Sequence, residues 1–259
     1  MALIKIISTD FDGTLFAEFE NPPIPHQLLE LIGQLKAEGA KWVINTGREM
    51  SSLMETLARA NIALEPDYLV LVEREIHRHQ ESQYVSLEDW NDACYRTHEE
   101  LFAMLKPHLP RLVSWINDDF HASLYEDAYS PLCLIARDNH QMDGIHAFLD
   151  KFCLEVPGLT VVRNDVYARF SHRAFNKGSA LAEISRRLGI ASTEVFAVGD
   201  HLNDLPMLST EYASFLAAPA NAIDLVKQTV RNAGGYLSPR AHGHGVADAI
   251  KYYRARDRG

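Results

Sequence analysis

The segment at residues 10–15 carries the acidic side chains best placed to do chemistry in this 259-residue sequence. It reads Asp-Phe-Asp-Gly-Thr-Leu and follows an apolar run at residues 3–7, which predicts a buried strand. Asp10 and Asp12 lie two residues apart, so an extended backbone points both carboxylates the same way. Two facing carboxylates repel each other unless a cation or a shared proton relieves them. Oxygen ligands of this kind fit a hard divalent ion such as Mg²⁺, and the alternative interpretation is a solvated acidic turn.

Two further segments are suited to holding an anion. Thr46, Gly47 and Arg48 follow a second apolar run at residues 42–44, and they supply a hydroxyl, backbone N–H groups and a cation. Lys177 stands at the start of a predicted helix, where the helix N-terminus already favours negative charge. Both patterns suit a phosphate dianion. Each is also common in ordinary turns and on protein surfaces, so neither is specific by itself.

A second acidic segment follows the apolar run at residues 195–198. It contains Asp200, with Asn203 and Asp204 three and four residues further on. One helical turn therefore brings all three side chains to the same edge, although an aspartate that caps a helix is the alternative interpretation of Asp200. All four segments stand at the carboxyl ends of strands or the starts of helices, where open α/β sheets bind their ligands.

Strands and helices alternate at both ends of the sequence, which predicts an α/β fold on a parallel sheet with right-handed crossovers. The middle of the sequence reads as runs of strands between helices, which predicts a smaller α+β domain. We therefore expect a core domain formed by residues 1–79 and 172–259, interrupted by an inserted domain at residues 80–171. In the insertion the pattern predicts helices at 88–106 and 141–153 and strands at 111–116, 121–126, 131–136, 159–163 and 166–171, and in the core a short helix at 204–209.

The composition limits the classes of partner. A net charge of -10 disfavours a broad nucleic-acid footprint, which needs a basic face. No apolar run approaches the roughly 20 residues of a membrane span, and the first residues lack the basic segment and cleavage site of a signal peptide. The three cysteines, Cys94, Cys133 and Cys153, form no closely spaced pair. We therefore expect free thiols, a reducing compartment and a cytoplasmic protein.

The order of the four motifs resembles that of the haloacid dehalogenase superfamily of phosphatases. The matching segments are Asp-x-Asp-Gly-Thr-Leu at 10–15, Thr-Gly-Arg at 46–48, Asn-Lys-Gly at 176–178 and Gly-Asp-x-x-Asn-Asp at 199–204. The insertion before the third motif resembles the type 2 (C2B) cap of the Cof-like and sucrose-phosphatase-like branch. The resemblance implies a Rossmann-like core with an inserted α+β cap. It also implies a phosphatase that hydrolyses a small phosphorylated metabolite, with a sugar phosphate as the expected class.

The resemblance also implies roles for the acidic residues. Asp10 is the expected nucleophile and forms an aspartyl-phosphate, a covalent strategy known for carboxylates. Asp12 is the expected general acid, which then activates water as a base. The expected Mg²⁺ ligands are the Asp10 carboxylate, the main-chain carbonyl of Asp12 and Asp200, together with Asp204.

The same resemblance assigns the phosphoryl oxygens of the substrate to polar groups of the other motifs. These groups are Thr46, Gly47, Arg48, Lys177 and Asn203. Because these groups handle only the phosphoryl group, which all substrates share, discrimination is expected from polar cap residues such as Arg169 and His172.

Three rival functions share the fold. A dehalogenase leaves Asp12 without a task, since a halide needs no proton. A phosphomutase would use Asp12 but would return the phosphoryl group to a sugar, and this alternative stays open. A non-catalytic binding protein usually lacks a motif, and none is missing here. One departure concerns residues 72–77, which read Val-Glu-Arg-Glu-Ile-His where Cof-like members often carry an Asn-Gly pair after the third strand.

Overall fold

A computed structural model of the protein describes residues 4–256, so residue 3 of the first predicted strand lies outside the described part. The chain divides into two compact units. The first unit comprises Met1–Leu87 and Lys177–Gly259, and the second comprises Glu88–Asn176. The divisions therefore fall several residues after the predicted ones at 79/80 and 171/172.

The first stretch of the chain alternates strand and helix and then adds a hairpin. Its elements are β1 (Ile6–Thr9), α1 (His26–Ala37), β2 (Lys41–Asn45), α2 (Met50–Arg59), β3 (Tyr68–Leu71), β4 (Glu75–Gln80) and β5 (Gln83–Ser86). Every residue of β1 and β3 is buried, as expected of strands covered on both faces. By contrast, exposed and partly buried positions predominate in β4 and β5.

The second unit folds around its own antiparallel sheet. Its elements are α3 (Glu88–Leu105), α4 (Leu109–Asp119), β6 (Ala122–Tyr125), β7 (Cys133–Ala136), α5 (Asn139–Cys153), β8 (Leu159–Asn164) and β9 (Tyr167–His172). The strand order is β6-β7-β9-β8, and all its pairs are antiparallel. Apolar side chains of the three helices and of this sheet, among them Leu101, Ile116, Ile145 and Phe170, form one buried cluster.

The chain then returns to the first unit. Its elements there are α6 (Lys177–Leu188), β10 (Val195–Val198), β11 (Phe215–Ala218), α7 (Asp224–Asn232), β12 (Tyr236–Leu237) and α8 (His242–Arg256). They complete an eight-stranded sheet in the order β12-β11-β10-β1-β2-β3-β4-β5. The strands from β12 to β3 are parallel, and β4 and β5 extend the sheet antiparallel.

The position of β1 explains where a site can form. It pairs with β2 on one side and with β10 on the other, so the strand order runs from β1 to β2 and β3 in one direction and from β1 to β10, β11 and β12 in the other. Ligands of open α/β sheets bind outside the carboxyl ends of the strands at such a reversal. The segments after β1, β2 and β10 are those that carry the first, second and fourth sequence motifs.

Two sequence predictions of local structure are wrong, and one hairpin was not predicted. Residues 111–116, predicted as a strand, belong to α4, because Leu112 and Ile116 lie four residues apart and both enter the apolar cluster. The short helix predicted at 204–209 is a single 3-10 turn at Leu202–Asp204 followed by further turns. The hairpin of β4 and β5 was missed because its strands are rich in polar residues and carry no continuous apolar run. Because that hairpin belongs to the first sheet, the first unit continues to Leu87.

Among the helices of residues 4–256, none combines the length and the apolar character needed to cross a membrane. All three cysteines are buried, and no disulfide joins any two of them.

Candidate active site

The first motif forms a tight turn directly after β1. The Asp10 N–H donates to the Val198 carbonyl at 3.0 Å, which ties the end of β1 to the end of β10. Gly13 adopts a left-handed backbone with φ of 78°, and its N–H donates to the Phe16 carbonyl at 2.9 Å. A Cβ on Gly13 would lie 2.6 Å from Asp200 Oδ2. Only glycine combines this backbone with this close approach.

The central contact of the site is a buried ammonium between two carboxylates. Lys177, the first residue of α6, is fully buried, and its Nζ lies 2.6 Å from Asp10 Oδ1 and 2.6 Å from Asp204 Oδ1. A buried charge is tolerated only when it is paired and hydrogen-bonded. Asn45, at the end of β2, donates from Nδ2 to the Lys177 carbonyl at 2.9 Å and so fixes the start of α6.

Asp204 is held at both of its oxygens. Oδ1 accepts from Lys177, and Oδ2 accepts from the backbone N–H groups of Asp200 and His201 at 2.8 and 2.9 Å. The approach depends on Gly199, since a Cβ there would lie 2.4 Å from Asp204 Cγ. Asp204 therefore orders the turn that presents Asp200.

Three carboxylates of this site are close enough to share a metal ion. One ligand oxygen each from Asp10, Asp200 and Asp204 lies within 4.8 Å of the others. Thr14 donates from Oγ1 to Asp200 Oδ1 at 2.6 Å and orients that carboxylate. Asn203 is also buried at this site. Its Oδ1 has no hydrogen-bond partner within residues 4–256. A set of oxygen donors with excess negative charge fits a hard divalent cation such as Mg²⁺.

The pKa shifts have the sign expected of such crowding. Burial raises the pKa of Asp10 well above its ordinary value, and the Asp204 carboxylate adds to the rise against the opposing charge of Lys177. Burial and the Asp204 carboxylate also raise the pKa of Asp200 to about 6. Burial acts to lower the pKa of Lys177, but the Asp10 and Asp204 carboxylates together hold that pKa well above its ordinary value. A further positive charge at this cluster would relieve the repulsion.

Asp12 has a different partner. Arg48 binds it through two parallel hydrogen bonds, from Nε to Oδ2 and from the second terminal nitrogen to Oδ1, each of 2.7 Å. The other terminal nitrogen of Arg48 donates to Thr56 at 2.6 Å and to Ser52 at 3.2 Å, both in α2. Such a two-bond pair fixes orientation as well as distance. The structure thus places Arg48, predicted to bind a phosphoryl oxygen, on the Asp12 carboxylate.

The remaining predicted phosphoryl ligands lie at the ends of β2 and β10. Thr46 is buried, and its Oγ1 accepts from the Arg48 N–H at 3.2 Å. Asn203 donates from Nδ2 to Glu73 Oε1 at 3.1 Å. A Cβ on Gly47 would lie 3.0 Å from the same Glu73 oxygen. Glu73 therefore adjoins two predicted phosphate-binding segments.

Sequence reasoning missed several residues that hold this site. The departure at residues 72–77 was the signal for Glu73, but its contacts were not predictable from one sequence. Asn221 donates from Nδ2 to the Gly13 carbonyl at 2.8 Å, and His242 Nδ1 lies 2.9 Å from the same oxygen. Since a carbonyl only accepts, His242 must carry its proton on Nδ1. These two residues fix the turn at Gly13.

The two residues singled out in the insertion have distinct settings within the second unit. Arg169 is buried in β9, opposite Cys133 of β7 and Val162 of β8. His172 ends β9, and its Nδ1 accepts from the Ala174 N–H at 3.2 Å. A Cβ on Gly158 would lie 2.5 Å from His172 Nε2, so this ring is closely packed.

Comparison with known proteins identifies the family. The chain matches the haloacid dehalogenase-like hydrolases over residues 76–250, well over half of its length. It belongs to that family. A second match, to sucrose-6F-phosphate phosphohydrolase, covers residues 3–106. The predicted family and the predicted α/β core with an inserted α+β domain are confirmed.

Individual relatives of this haloacid dehalogenase-like hydrolase cover it to different extents. A phosphoglycolate phosphatase from Methanothrix thermoacetophila is 30% identical over 140 residues, which are 54% of this chain and 59% of that protein. The chain thus spans less than two thirds of that relative. YxeH from Bacillus subtilis is 26% identical over 272 residues, covering 96% of this chain and 97% of that protein.

Solved structures share the fold of this hydrolase at low sequence identity. The sucrose-phosphatase from Synechocystis sp. PCC6803, solved with sucrose and phosphate, is 17% identical, with a TM-score of 0.73 over 98% of this chain and 99% of that one. TM0651 from Thermotoga maritima, also 17% identical, has a TM-score of 0.61 over 96% and 97% of the two chains. The fold is therefore shared across the whole length of these proteins.

The first prediction concerns the turn at Gly13. Gly13→Ala should displace Asp200, because the new Cβ would collide with its carboxylate. Mg²⁺ should raise the Tm of the unaltered protein, since a ligand of the folded state stabilises it, and this rise should be lost in the variant. The measurement is thermal unfolding with and without saturating Mg²⁺.

Gly189→Ala is the matched control. Gly189 also has a left-handed backbone, with φ of 66°, but no atom lies within 4 Å of its added Cβ. Both variants should lose about 1–2 kcal/mol of stability from backbone strain, whereas Gly189→Ala should keep the Mg²⁺-dependent rise in Tm. A Gly13→Ala protein that responds normally to Mg²⁺ would contradict the assignment of Asp200 to a metal site.

Proposed function

We propose that the protein is a Mg²⁺-dependent phosphatase that hydrolyses a small phosphate ester through an aspartyl-phosphate on Asp10. The observation that carries the proposal is the buried Lys177 ammonium, shared by Asp10 and Asp204 beside the Asp200 carboxylate. The contact holds one Asp10 oxygen in place at 2.6 Å. Phosphoryl transfer depends mainly on such positioning and on charge.

In the first step an Asp10 oxygen attacks the phosphorus of the ester. The new bond joins the carboxylate to phosphorus as the bond between phosphorus and the leaving oxygen breaks. Asp12 donates a proton to that oxygen, so the product leaves as an alcohol. In the structure both Asp12 oxygens accept from Arg48, which favours the carboxylate, so this contact must loosen before Asp12 carries the proton.

In the second step water hydrolyses the aspartyl-phosphate. Asp12, now a carboxylate, accepts a proton from the water as its oxygen bonds to phosphorus, and the bond from phosphorus to Asp10 breaks. Inorganic phosphate is released and both carboxyl groups return to their starting forms. Lys177, Asn203, Thr46 and the Gly47 N–H are the proposed donors to the phosphoryl oxygens.

The proposed metal ligands are Asp10, Asp200 and the main-chain carbonyl of Asp12, with Asp204 close by. When bound, Mg²⁺ neutralises charge on the phosphoryl group and allows the Asp10 carboxylate and the phosphate dianion to approach. The observed carboxylate cluster and the raised pKa values of Asp10 and Asp200 support this assignment.

A sugar phosphate is the proposed substrate class. Support comes from the match to sucrose-6F-phosphate phosphohydrolase and from the fold shared with a sucrose-phosphatase. Phosphoglycolate is the substrate named for a different relative and belongs in any test. We also propose that the second unit is the cap that discriminates between leaving groups, and that the protein is cytoplasmic.

The central experiment replaces the nucleophile. Asp10→Asn should abolish turnover of p-nitrophenyl phosphate, because an amide does not attack phosphorus, and it should leave the fold intact. Release of p-nitrophenol with Mg²⁺ measures the activity, and Tm measures the fold. Asp248→Asn is the control, since Asp248 pairs with Arg240 elsewhere in the same unit. Activity in Asp10→Asn above a few per cent of the original would refute the mechanism.

The role of Asp12 predicts a change in the time course. In Asp12→Asn, p-nitrophenol leaves without needing a proton, so one equivalent per enzyme should still appear as a burst. Later turnover should fall by about 10²–10⁴-fold because water is no longer activated. An alkyl phosphate, whose leaving group does need a proton, should show no burst. Rapid mixing distinguishes these outcomes, and equal losses for both substrates without a burst would exclude Asp12 as the acid.

The substrate proposal is tested with a panel of phosphorylated metabolites. Sugar phosphates should give higher kcat/KM than phosphoglycolate. Arg169→Ala should lower kcat/KM for the best sugar phosphate by about tenfold or more, the loss of one charged hydrogen bond, and should spare p-nitrophenyl phosphate. Arg163→Ala is the control, because Arg163 is bound to Asp143 and Asn139 within its own unit. Equal losses for both substrates in Arg169→Ala would count against a specificity role.

A further inference from the structure

The hairpin turn between β3 and β4 has an unfavourable backbone. Leu71 pairs with Glu75, so three residues connect the two strands. Two of them are left-handed, Val72 with φ of 44° and Glu73 with φ of 66°. Consecutive residues of this kind in hairpins are usually Asn-Gly, and a β-branched residue there is an outlier. The turn therefore contains two residues in a strained backbone conformation that an Asn-Gly pair would adopt without strain.

The strained turn is tied to the second motif. The Val72 N–H donates to the Arg48 carbonyl at 3.0 Å, and the Glu73 N–H donates to the Thr46 carbonyl at 2.9 Å. Strained backbone persists when its surroundings determine it, and it concentrates at functional sites. These two bonds place the Glu73 side chain beside the segment predicted to bind phosphate.

The side chain of Glu73 links two motifs. It is 4% exposed, and its Oε1 accepts from Asn203 Nδ2 at 3.1 Å. The same oxygen lies 3.0 Å from the position of a Cβ on Gly47. Asn203 is itself buried, and its Oδ1 has no hydrogen-bond partner in the part of the chain that the structure describes. The bond to Glu73 therefore determines which way this amide faces.

We propose that Glu73 is a positioning residue that orients the Asn203 amide toward the phosphoryl group. An amide nitrogen has two N–H groups, so Nδ2 can donate one to Glu73 and the other to a phosphoryl oxygen. This inference rests on the proposed function, because it assigns Asn203 to the phosphoryl group. It accounts for a carboxylate at a position whose backbone favours glycine.

The test separates positioning from folding. Glu73→Gly relieves the left-handed backbone, so its Tm should be unchanged or higher, while kcat/KM for p-nitrophenyl phosphate should fall about ten- to a hundredfold. Glu73→Gln keeps an oxygen that can accept from Asn203 and should retain kcat/KM within about threefold, since the neutral acceptor preserves the bond. A purely structural role predicts instead that Glu73→Gly loses stability together with activity.

Glu81→Gly is the matched control. Glu81 lies in the neighbouring turn between β4 and β5, has φ of 59° and is exposed. The same substitution there should change neither kcat nor KM. A double-mutant cycle with Asn203→Ala completes the series, because residues that act through one contact give non-additive losses. Fully additive losses, or unaltered activity in Glu73→Gly, would overturn the proposal.

A readout independent of activity separates this inference from the proposed function. The side-chain amide signal of Asn203 can be assigned by NMR as the one lost in Asn203→Asp. Glu73→Gly should shift this signal strongly, Glu73→Gln should shift it less, and Glu81→Gly should leave it in place. If the Asn203 amide signal has the same chemical shift in Glu73→Gly as in the unaltered protein, the positioning role of Glu73 is refuted. If the protein shows no phosphatase turnover but its Asn203 signal shifts in Glu73→Gly, the proposed function is refuted. The contact between Glu73 and Asn203 is then still supported.

Discussion

The ammonium of Lys177 lies fully buried between the carboxylates of Asp10 and Asp204, and the rest of the site is arranged around this contact. Removing such charges from water costs several kcal/mol per ion, so a buried pair is weak evidence for stability. Its consequence here is that it fixes the positions of three segments of the chain. The start of α6, the end of β1 and the turn after β10 meet at one nitrogen. Asn45 adds β2 by binding the Lys177 carbonyl.

The strand order makes this meeting possible. Because β1 lies between β2 and β10 in a parallel sheet, residues far apart in the sequence reach the same edge. Asn221 and His242 reach Gly13 across 208 and 229 residues. Two glycines then let the carboxylates approach, since a side chain at Gly13 would meet Asp200 and one at Gly199 would meet Asp204. Close packing of like charges thus depends on the absence of side chains.

The parts of the fold that were predictable from the sequence have strong local patterns. The apolar runs at residues 3–7 and 195–198 and the helical spacing after Lys177 predicted strands and a helix that correspond to β1, β10 and α6. The sequence pattern did not predict the structure where the local preference of a segment differs from the conformation that tertiary packing imposes. Residues 111–116 have strand-forming side chains but pack as helix α4, and the polar strands β4 and β5 gain their place from pairing with β3.

The site shows the same division between local and distant causes. The four motifs name the charged residues, since each is a short segment at the end of a strand or the start of a helix. The motifs do not indicate which residues these charged side chains contact. The pairing of Arg48 with Asp12 and the contact of Glu73 with Asn203 join segments 36 and 130 residues apart. Such contacts follow from the sheet order and from turn geometry, which one sequence does not specify.

The ion pairs of the candidate active site use only residues of the first unit. Asp10, Lys177 and Asp200 interact with one another, and Asp12 is held by Arg48. The second unit has its own apolar cluster and its own sheet, and none of the residues of the four motifs belongs to either. A unit that folds around separate contacts can change its polar surface without disturbing the buried ion pairs. Under the proposed function, selection of the leaving group by the second unit would therefore be separable, in physical terms, from transfer of the phosphoryl group by the first.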